Sequence, residues 1–576
     1  MHSLLCCLFY LFLVGTKRSE APDPNLPFML YLDQNELVCI KWGFDELREN
    51  ITILLVVNTT GWVGLGFSPN GGMQGSDIIM GGVRSDGSYF KDYYATGNSM
   101  PLEDTHQSYT LLDATEIDGQ TKLRFKRSII SCDTQDFSIT AQSIKVIYAY
   151  GTTDSISYHQ GLRGTKDVNL LNFRTRSTLN NHKYLSATMD KVPVAALETY
   201  YHCRIMKLPA LNAKHHIYLI KPLIEHPDIV HHQLLYRCPP FVTEPYNGDC
   251  SKSEIGGACF HIVAAWAVGG EDFEFPENMG IPVGGETTDV FYRLEIHYSN
   301  VKTGTIDSSG LRLYYRPLSS DVQQHDIYDV GILATGLIPG FTLPYKIPPN
   351  VERFHTFGLC NTSQMFELLD TQPDLNVFAV ALHTHYTGIE IEVVHVRNGK
   401  MIDYINVDRN YNFELQQAVN LGSIKTIKKG DEILVECVYS TVNRTKVTKQ
   451  GLGSYDEMCL AFLFYYPAIN ISACLSHPNT NHPLISESNW MFEGNPTLTQ
   501  EDISKYETLL MTVPQFQKSL DVNFNVSFNE DGKIRTMKEI TPVTCNPPPN
   551  ASSRPDTSCI LNTAGMILLL LWTVII

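Results

Sequence analysis

The sequence predicts an all-β protein made of several β-sandwiches with few helices. Stretches such as "ITILLVVNTTGWVGLGFS", "SIKVIYAYG", "DVFYRLEIHYSN", "NVFAVALHTHYTGIEIEVVHV" and "DEILVECVYS" are rich in Val, Ile, Tyr and Phe and are bounded by Gly, Asn and Asp. These short runs are evenly spaced, the pattern of stacked antiparallel sheets. At about 100–200 residues per domain, 576 residues give three or four domains. Hydrophobic residues are 43% and charged residues 18%, so the chain is globular rather than disordered. A net charge of −17 argues against nucleic acid or an anionic membrane surface as the main partner.

The elements follow in order. An apolar run from Leu4 to Val14 ends in small residues and reads as a secretory signal peptide (1–18), with an uncleaved anchor as the lesser reading. A first domain spans 27–150. The polar stretch "RGTKDVNLLNFRTRSTLNNHKY" links it to a second at 187–316, and "RPLSSDVQQHDIYD" precedes a third at 330–495. An extension at 496–549 holds one helix candidate, "TQEDISKYETLLM" (499–511). Thr499 can cap it, acids fill its first turn, and Pro514 lies beyond its end. The last segment, 550–576, has small residues at Asn550–Ser552, a polar spacer and an apolar tail, which matches a GPI signal. A short transmembrane anchor is the alternative, but no Lys or Arg follows the tail and it is short for a span of ~20 residues.

Seven N-x-[ST] sequons, at Asn50, Asn58, Asn361, Asn443, Asn470, Asn525 and Asn550, fit glycosylated loops of a secreted chain. Of fourteen cysteines, three fall in the leader and tail; in an oxidising compartment most of the remaining eleven should pair. The odd one out is expected to be Cys39, in the strand-like "NELVCIKWGF".

Three histidine sets stand out. In an extended strand neighbours point to opposite faces, so His231 and His232 of "VHHQLLYRC" can share an ion only where a bulge rotates one of them. Otherwise one is buried and one exposed. In "YRLEIHYSN", Arg293, Glu295 and His297 form a polar face that could line a cleft, although a lone histidine there is ordinarily structural. In "VALHTHYTG", Val377, Ala379 and Ala381 lead to His383 and His385 on one face of an apolar strand. Buried imidazoles need partners, because unpaired polar groups cost roughly several kcal/mol. A metal ion or core hydrogen bonds would serve. His215 and His216 read as structural. Met458, in "GLGSYDEMCLAFLFYYP", ordinarily packs a core; as a ligand its thioether points to Cu(I), not zinc.

In this order, "HHQLLYRC", "LEIHYSN", "LHTHYTG" and "DEMCLAFLFYYP" resemble the copper type II, ascorbate-dependent monooxygenases, in their dopamine β-hydroxylase-like branch, from about residue 28 to 500. The resemblance implies two jelly-roll-like copper-binding sandwiches and two copper ions per chain. His231, His232 and His297 match the electron-transfer site; His383, His385 and Met458 match the oxygen-binding site. It implies insertion of one atom of O2 into a substrate C–H bond, an electron supplied across an open cleft, and ascorbate as reductant. Tyr201, in "ALETYYHC", and His383 match positions with an active-site role. The stretch "GWVGLGFSPNGGMQGSDIIMGGV" resembles a DOMON domain, a β-sandwich that precedes this core.

The same resemblance implies disulfides Cys203–Cys250, Cys238–Cys259, Cys360–Cys474 and Cys437–Cys459, with Cys132–Cys545 as a further pair. Gln364 stands where the dopamine β-hydroxylase pattern has one more cysteine, so that bridge is absent and the resemblance does not carry over an oligomer contact that depends on it.

The expected function is thus a copper monooxygenase of the secretory pathway, membrane-anchored or secreted, acting on a small amine- or amide-type substrate. A non-catalytic surface glycoprotein that kept the fold is the alternative. It predicts lost ligand positions, and all six are intact. A zinc hydrolase is a third, opposed by Met458.

Overall fold

The computed structural model describes residues 23–534, apart from 34, 46–48, 132, 141–143, 172–181, 254–255, 269, 271, 277, 287–288, 319–326, 338–345, 414–415, 480, 493–497 and 533. The leader, Cys132, Cys545, Asn550 and the apolar tail therefore lie outside the described residues. The chain is mostly β-sheet, as its patterning requires, and divides into two compact units, the second of them built around residues 167 onward.

In the N-terminal domain, strands Asn50–Val57 and Gln120–Ser128 alternate between buried and partly exposed side chains and pair antiparallel within a five-stranded sheet. A six-stranded sheet completes the domain. Cys39 is buried and free, as the count of cysteines suggested. This domain also buries charge. Arg127 Nη1 lies 2.6 Å from Asp77 Oδ2 and donates to the Tyr109 hydroxyl at 2.7 Å, with the Arg127 and Asp77 side chains only 1% and 0% exposed. Asp92 is buried beside them.

The second unit holds two sandwiches. In the first, a five-stranded sheet runs Tyr246–Asp249, Thr199–Lys207, Phe291–Ser299, Val230–Arg237, His261–Ala267. In the second, strand Gly331–Leu337 is buried at every residue inside a seven-stranded sheet. That sheet also contains Leu375–His383 and Leu460–Tyr466. A four-stranded sheet contains Asp431–Tyr439 and Gly388–Arg397. The four implied disulfides Cys203–Cys250, Cys238–Cys259, Cys360–Cys474 and Cys437–Cys459 are all present.

Helix Gln500–Thr512 begins where the capping signal put it: Thr499 and Asp502 form a reciprocal capping box. Its apolar stripe, Ile503, Tyr506 and Leu510, joins the core of the second sandwich. The stretch set apart above as an extension continues that sandwich, because strand Gln515–Asp521 pairs with Ile471–Pro478 and lengthens the seven-stranded sheet.

Candidate metal centre

The first histidine set is assembled by two neighbouring strands. His297 lies opposite Tyr201 on one side and opposite His232 on the other. The pairing register shifts between Val230 and His232, so His231 is the extra residue of a bulge. That bulge turns both adjacent imidazoles inward. Their Nδ1 atoms are 3.3 Å apart and both residues are buried. The three imidazoles offer ring nitrogens all within 4.8 Å of one another.

The second set is built differently from the simple alternation expected. The strand ends at His383, and His385 lies in the turn beyond it. A register shift between Val377 and Ala379 also breaks the face, so Val377 packs into the core of the second sandwich while Ala379 packs toward the first. Hydrogen bonds from neighbouring segments set the two rings. His383 Nδ1 lies 2.6 Å from Gln416 Oε1, and Gln416 Nε2 donates to the Phe413 carbonyl at 2.7 Å, which fixes the amide's orientation. His385 Nδ1 lies 3.1 Å from the Asp456 carbonyl, which can only accept. Both rings therefore carry the proton on Nδ1 and keep the Nε2 lone pair free. Met458 is buried two residues before Leu460, the cross-strand partner of His383.

Close packing shapes the turn. A Cβ at Gly388 would sit 1.8 Å from Thr384 Oγ1. Gly388→Ala is expected to cost about 1–3 kcal/mol, read as a lowered thermal midpoint of the metal-free protein.

The open cleft expected between the two sets is closed. The His232 and His383 rings are 5.8 Å apart, and Phe413 from the second sandwich stacks on His231 at 4.2 Å. Ser454 Oγ lies 3.3 Å from His297 Nε2, Tyr201 donates its hydroxyl to the Leu452 carbonyl at 2.6 Å, and Gln416 N–H donates to the Val268 carbonyl at 3.0 Å. Tyr201 also stacks parallel on His297 at 4.4 Å. These contacts join the sandwiches through loops, and strand patterning cannot register them.

Burial keeps all five imidazoles neutral. It depresses His231 to about 3, with His383 adding to the effect, and takes His232, His297 and His385 well below the usual histidine range. His383 is lowered too, again by burial, with its Gln416 bond opposing. Burial holds the Tyr201 phenol far above its ordinary value, so it stays a donor. Glu457, fully buried behind the second set, is pushed up to about 7 by burial against the donors it accepts from Thr387 and His385.

Sequence reasoning missed Gln416, Phe413, Ser454 and Glu457. Only Glu457 carried a signal, as an acid directly before Met458, although Asp456 beside it carries the same one.

Residues 185–305 match the family model described as copper type II ascorbate-dependent monooxygenase, N-terminal domain, and residues 328–484 match its C-terminal domain. Residues 34–151 match the DOMON domain. The chain is 34% identical over 501 residues to DBH-like monooxygenase protein 1 of Homo sapiens, covering 82% of this chain and 79% of that one. The chain belongs to the copper type II ascorbate-dependent monooxygenase family. It is also 35% identical over 507 residues to DBH-like monooxygenase protein 2 of Mus musculus, covering 84% of this chain and 80% of that protein. To dopamine beta-hydroxylase of Rattus norvegicus it is 29% identical over 494 residues, 83% of this chain and 78% of that one.

Family membership implies copper and ascorbate, and the residues fit copper. His231 Nε2, His297 Nδ1 and His385 Nε2 are buried with no hydrogen-bond partner. Such orphaned polar atoms are rare in folded proteins, and a coordinated cation is one way to satisfy them. Three neutral imidazoles in one set and two in the other are nitrogen donors with no carboxylate among them, a chemistry that suits copper.

Proposed function

We propose that this protein is a monooxygenase with two copper ions per chain that hydroxylates a C–H bond of a small amine- or amide-bearing substrate, with O2 as oxidant and ascorbate as reductant. The observation that carries this reading is the pair of adjoining donor sets, the buried His231, His232 and His297 beside the half-buried His383 and the buried His385 and Met458, with both rings of the second set oriented by Gln416 and Asp456. Copper, when bound, supplies one-electron chemistry toward O2.

The chain's own residues do the rest. Neutral imidazoles present lone pairs without competition from protons. Phe413 and Tyr201 pack over His231 and His297 and exclude water from between the sets. On the sheet face beside His383, Ala381 pairs with Phe462 and His383 with Leu460. This apolar floor suits a substrate that brings an uncharged carbon to the site and carries its amine or amide elsewhere. We place Tyr201 and His383 in the working site, His383 as a ligand and Tyr201 as the residue that braces His297.

The leader-like and tail segments support a secretory-pathway protein, GPI-anchored by the preferred reading, with exposed sequons at Asn58 and Asn470 available for glycosylation.

Copper stoichiometry of the purified ectodomain tests this. Two ions per chain are expected, falling towards one in Met458→Ile. No copper, or a full complement of zinc, overturns the assignment. Ascorbate-dependent O2 consumption across phenethylamines and glycine-extended peptides then addresses the substrate.

A further inference from the structure

We infer that Glu457 is the positioning residue of the second copper site: its carboxylate ties the His385–Thr387 turn to the backbone that carries Met458, and so sets the separation of the site's nitrogen and sulphur ligands. This rests on reading His383, His385 and Met458 as copper ligands.

Glu457 is 0% exposed. Its Oε2 accepts the His385 N–H at 2.9 Å. Its Oε1 accepts the Thr387 N–H at 2.6 Å and the Thr387 hydroxyl at 2.5 Å. Every donor thus comes from one short turn, the turn that follows His383 and contains His385. The other end of Glu457 is equally fixed. Its N–H donates to the Lys449 carbonyl at 2.8 Å, and its carbonyl accepts from Gly451 N–H at 3.1 Å.

The neighbours extend the same device. The Asp456 carbonyl faces His385 Nδ1, and the Tyr439 hydroxyl donates to the Met458 carbonyl at 2.8 Å. Cys459 is bridged to Cys437. Three consecutive residues therefore orient one ligand ring, anchor that ligand's backbone and supply the sulphur. The Glu457 side chain spans from the segment that carries Met458 to the histidine backbone with multiple bonds.

The residue type follows from the donors. A carboxylate accepts at both oxygens, whereas the amide of glutamine accepts at one and turns an N–H2 toward the other. In Glu457→Gln that N–H2 would face either the His385 N–H or the Thr387 pair, donor against donor. The turn would move away from the segment that carries Met458. The outer bonds of a metal site typically control affinity by about 10- to 100-fold, and a weak thioether ligand is the first to be lost.

The test is Glu457→Gln in the full-length chain, purified metal-free and titrated with Cu(I). Copper per chain, X-ray absorption at the copper edge and the thermal midpoint of the metal-free protein are the readouts. The expected result is an unaltered first site and a second site weakened about 10- to 100-fold. At limiting free copper the sulphur scatterer then disappears. Two coppers with a wild-type sulphur signal overturn the inference. Equal weakening of both sites with a collapsed thermal midpoint also overturns it, since Glu457 would then be only a fold stabiliser. Should the variant fail to accumulate, Thr387→Val decides. It removes one of the three donors, is expected to weaken the second site alone, and overturns the inference if both sites keep wild-type affinity. Wild-type protein that binds no copper would instead overturn the copper assignment itself.

Discussion

Asp92→Asn is expected to stabilise the N-terminal domain at pH 8 while leaving its stability at pH 4 nearly unchanged. Asp92 is 1% exposed, and burial, with Asp77 and Asp136 adding like charge, pushes its carboxyl up to about 8, against the Ser108 N–H that its Oδ2 accepts at 3.1 Å. Its Oδ1 is buried without a hydrogen-bond partner. In the unfolded chain the same group releases its proton near pH 4. Between these values the folded state binds more protons than the unfolded state, so stability falls as pH rises, by at most about 1.4 kcal/mol per pH unit. Asparagine cannot ionise. It keeps the oxygen that accepts from Ser108 and turns an N–H2 toward Asp77 and Asp136, whose carboxylate oxygens lie within 4.8 Å of those of Asp92. Scanning calorimetry of the full chain from pH 4 to pH 8 reads the effect. The wild-type transition of this domain should move down with rising pH, and the variant's should stay level. Parallel profiles for the two proteins would refute the argument.

The sheets were legible because their strands are rich in β-branched and aromatic residues between turn residues: Asn50–Val57, mostly Ile, Leu and Val, buries every second side chain. The histidine sets were legible as residue types in order, and the helix at 500 through its cap. What stayed hidden has a common physical origin. The bulge at His231 depends on a partner strand some 60 residues away, so "HH" alone left one imidazole inside and one outside as the plain reading. His385 seemed to share a strand with His383 because a period of two continues past a strand's end, whereas the chain turns there to meet Glu457. Gln416, Phe413 and Ser454 lie in loops, and each works by touching an element distant in sequence. No local pattern encodes such contacts. The closure of the cleft is the sum of them, and the expectation of a gap failed for that reason.

Tyr201→Phe is expected to leave both copper sites filled and to slow turnover. Phenylalanine keeps the ring that stacks on His297 and loses only the hydroxyl, which donates to the Leu452 carbonyl across the junction of the two sandwiches. That bond can form only while the donor sets adjoin. Losing it leaves a carbonyl without its donor, at about 1–3 kcal/mol, so the ratio of adjoined to separated arrangements should fall roughly 5- to 150-fold. The apolar floor of Ala381, Leu460 and Phe462 is untouched, so the expected signature is a fall in kcat with KM nearly constant. A distance measurement between the two copper ions by pulsed electron resonance should show a longer, broader distribution than in the wild-type protein. If the hydroxyl instead took part in a proton transfer, the distance would stay the same and the pH profile of kcat would change. If neither distance nor turnover moved, the bond to Leu452 would be incidental, and the contacts of Phe413, Ser454 and Gln416 would suffice to hold the sets together.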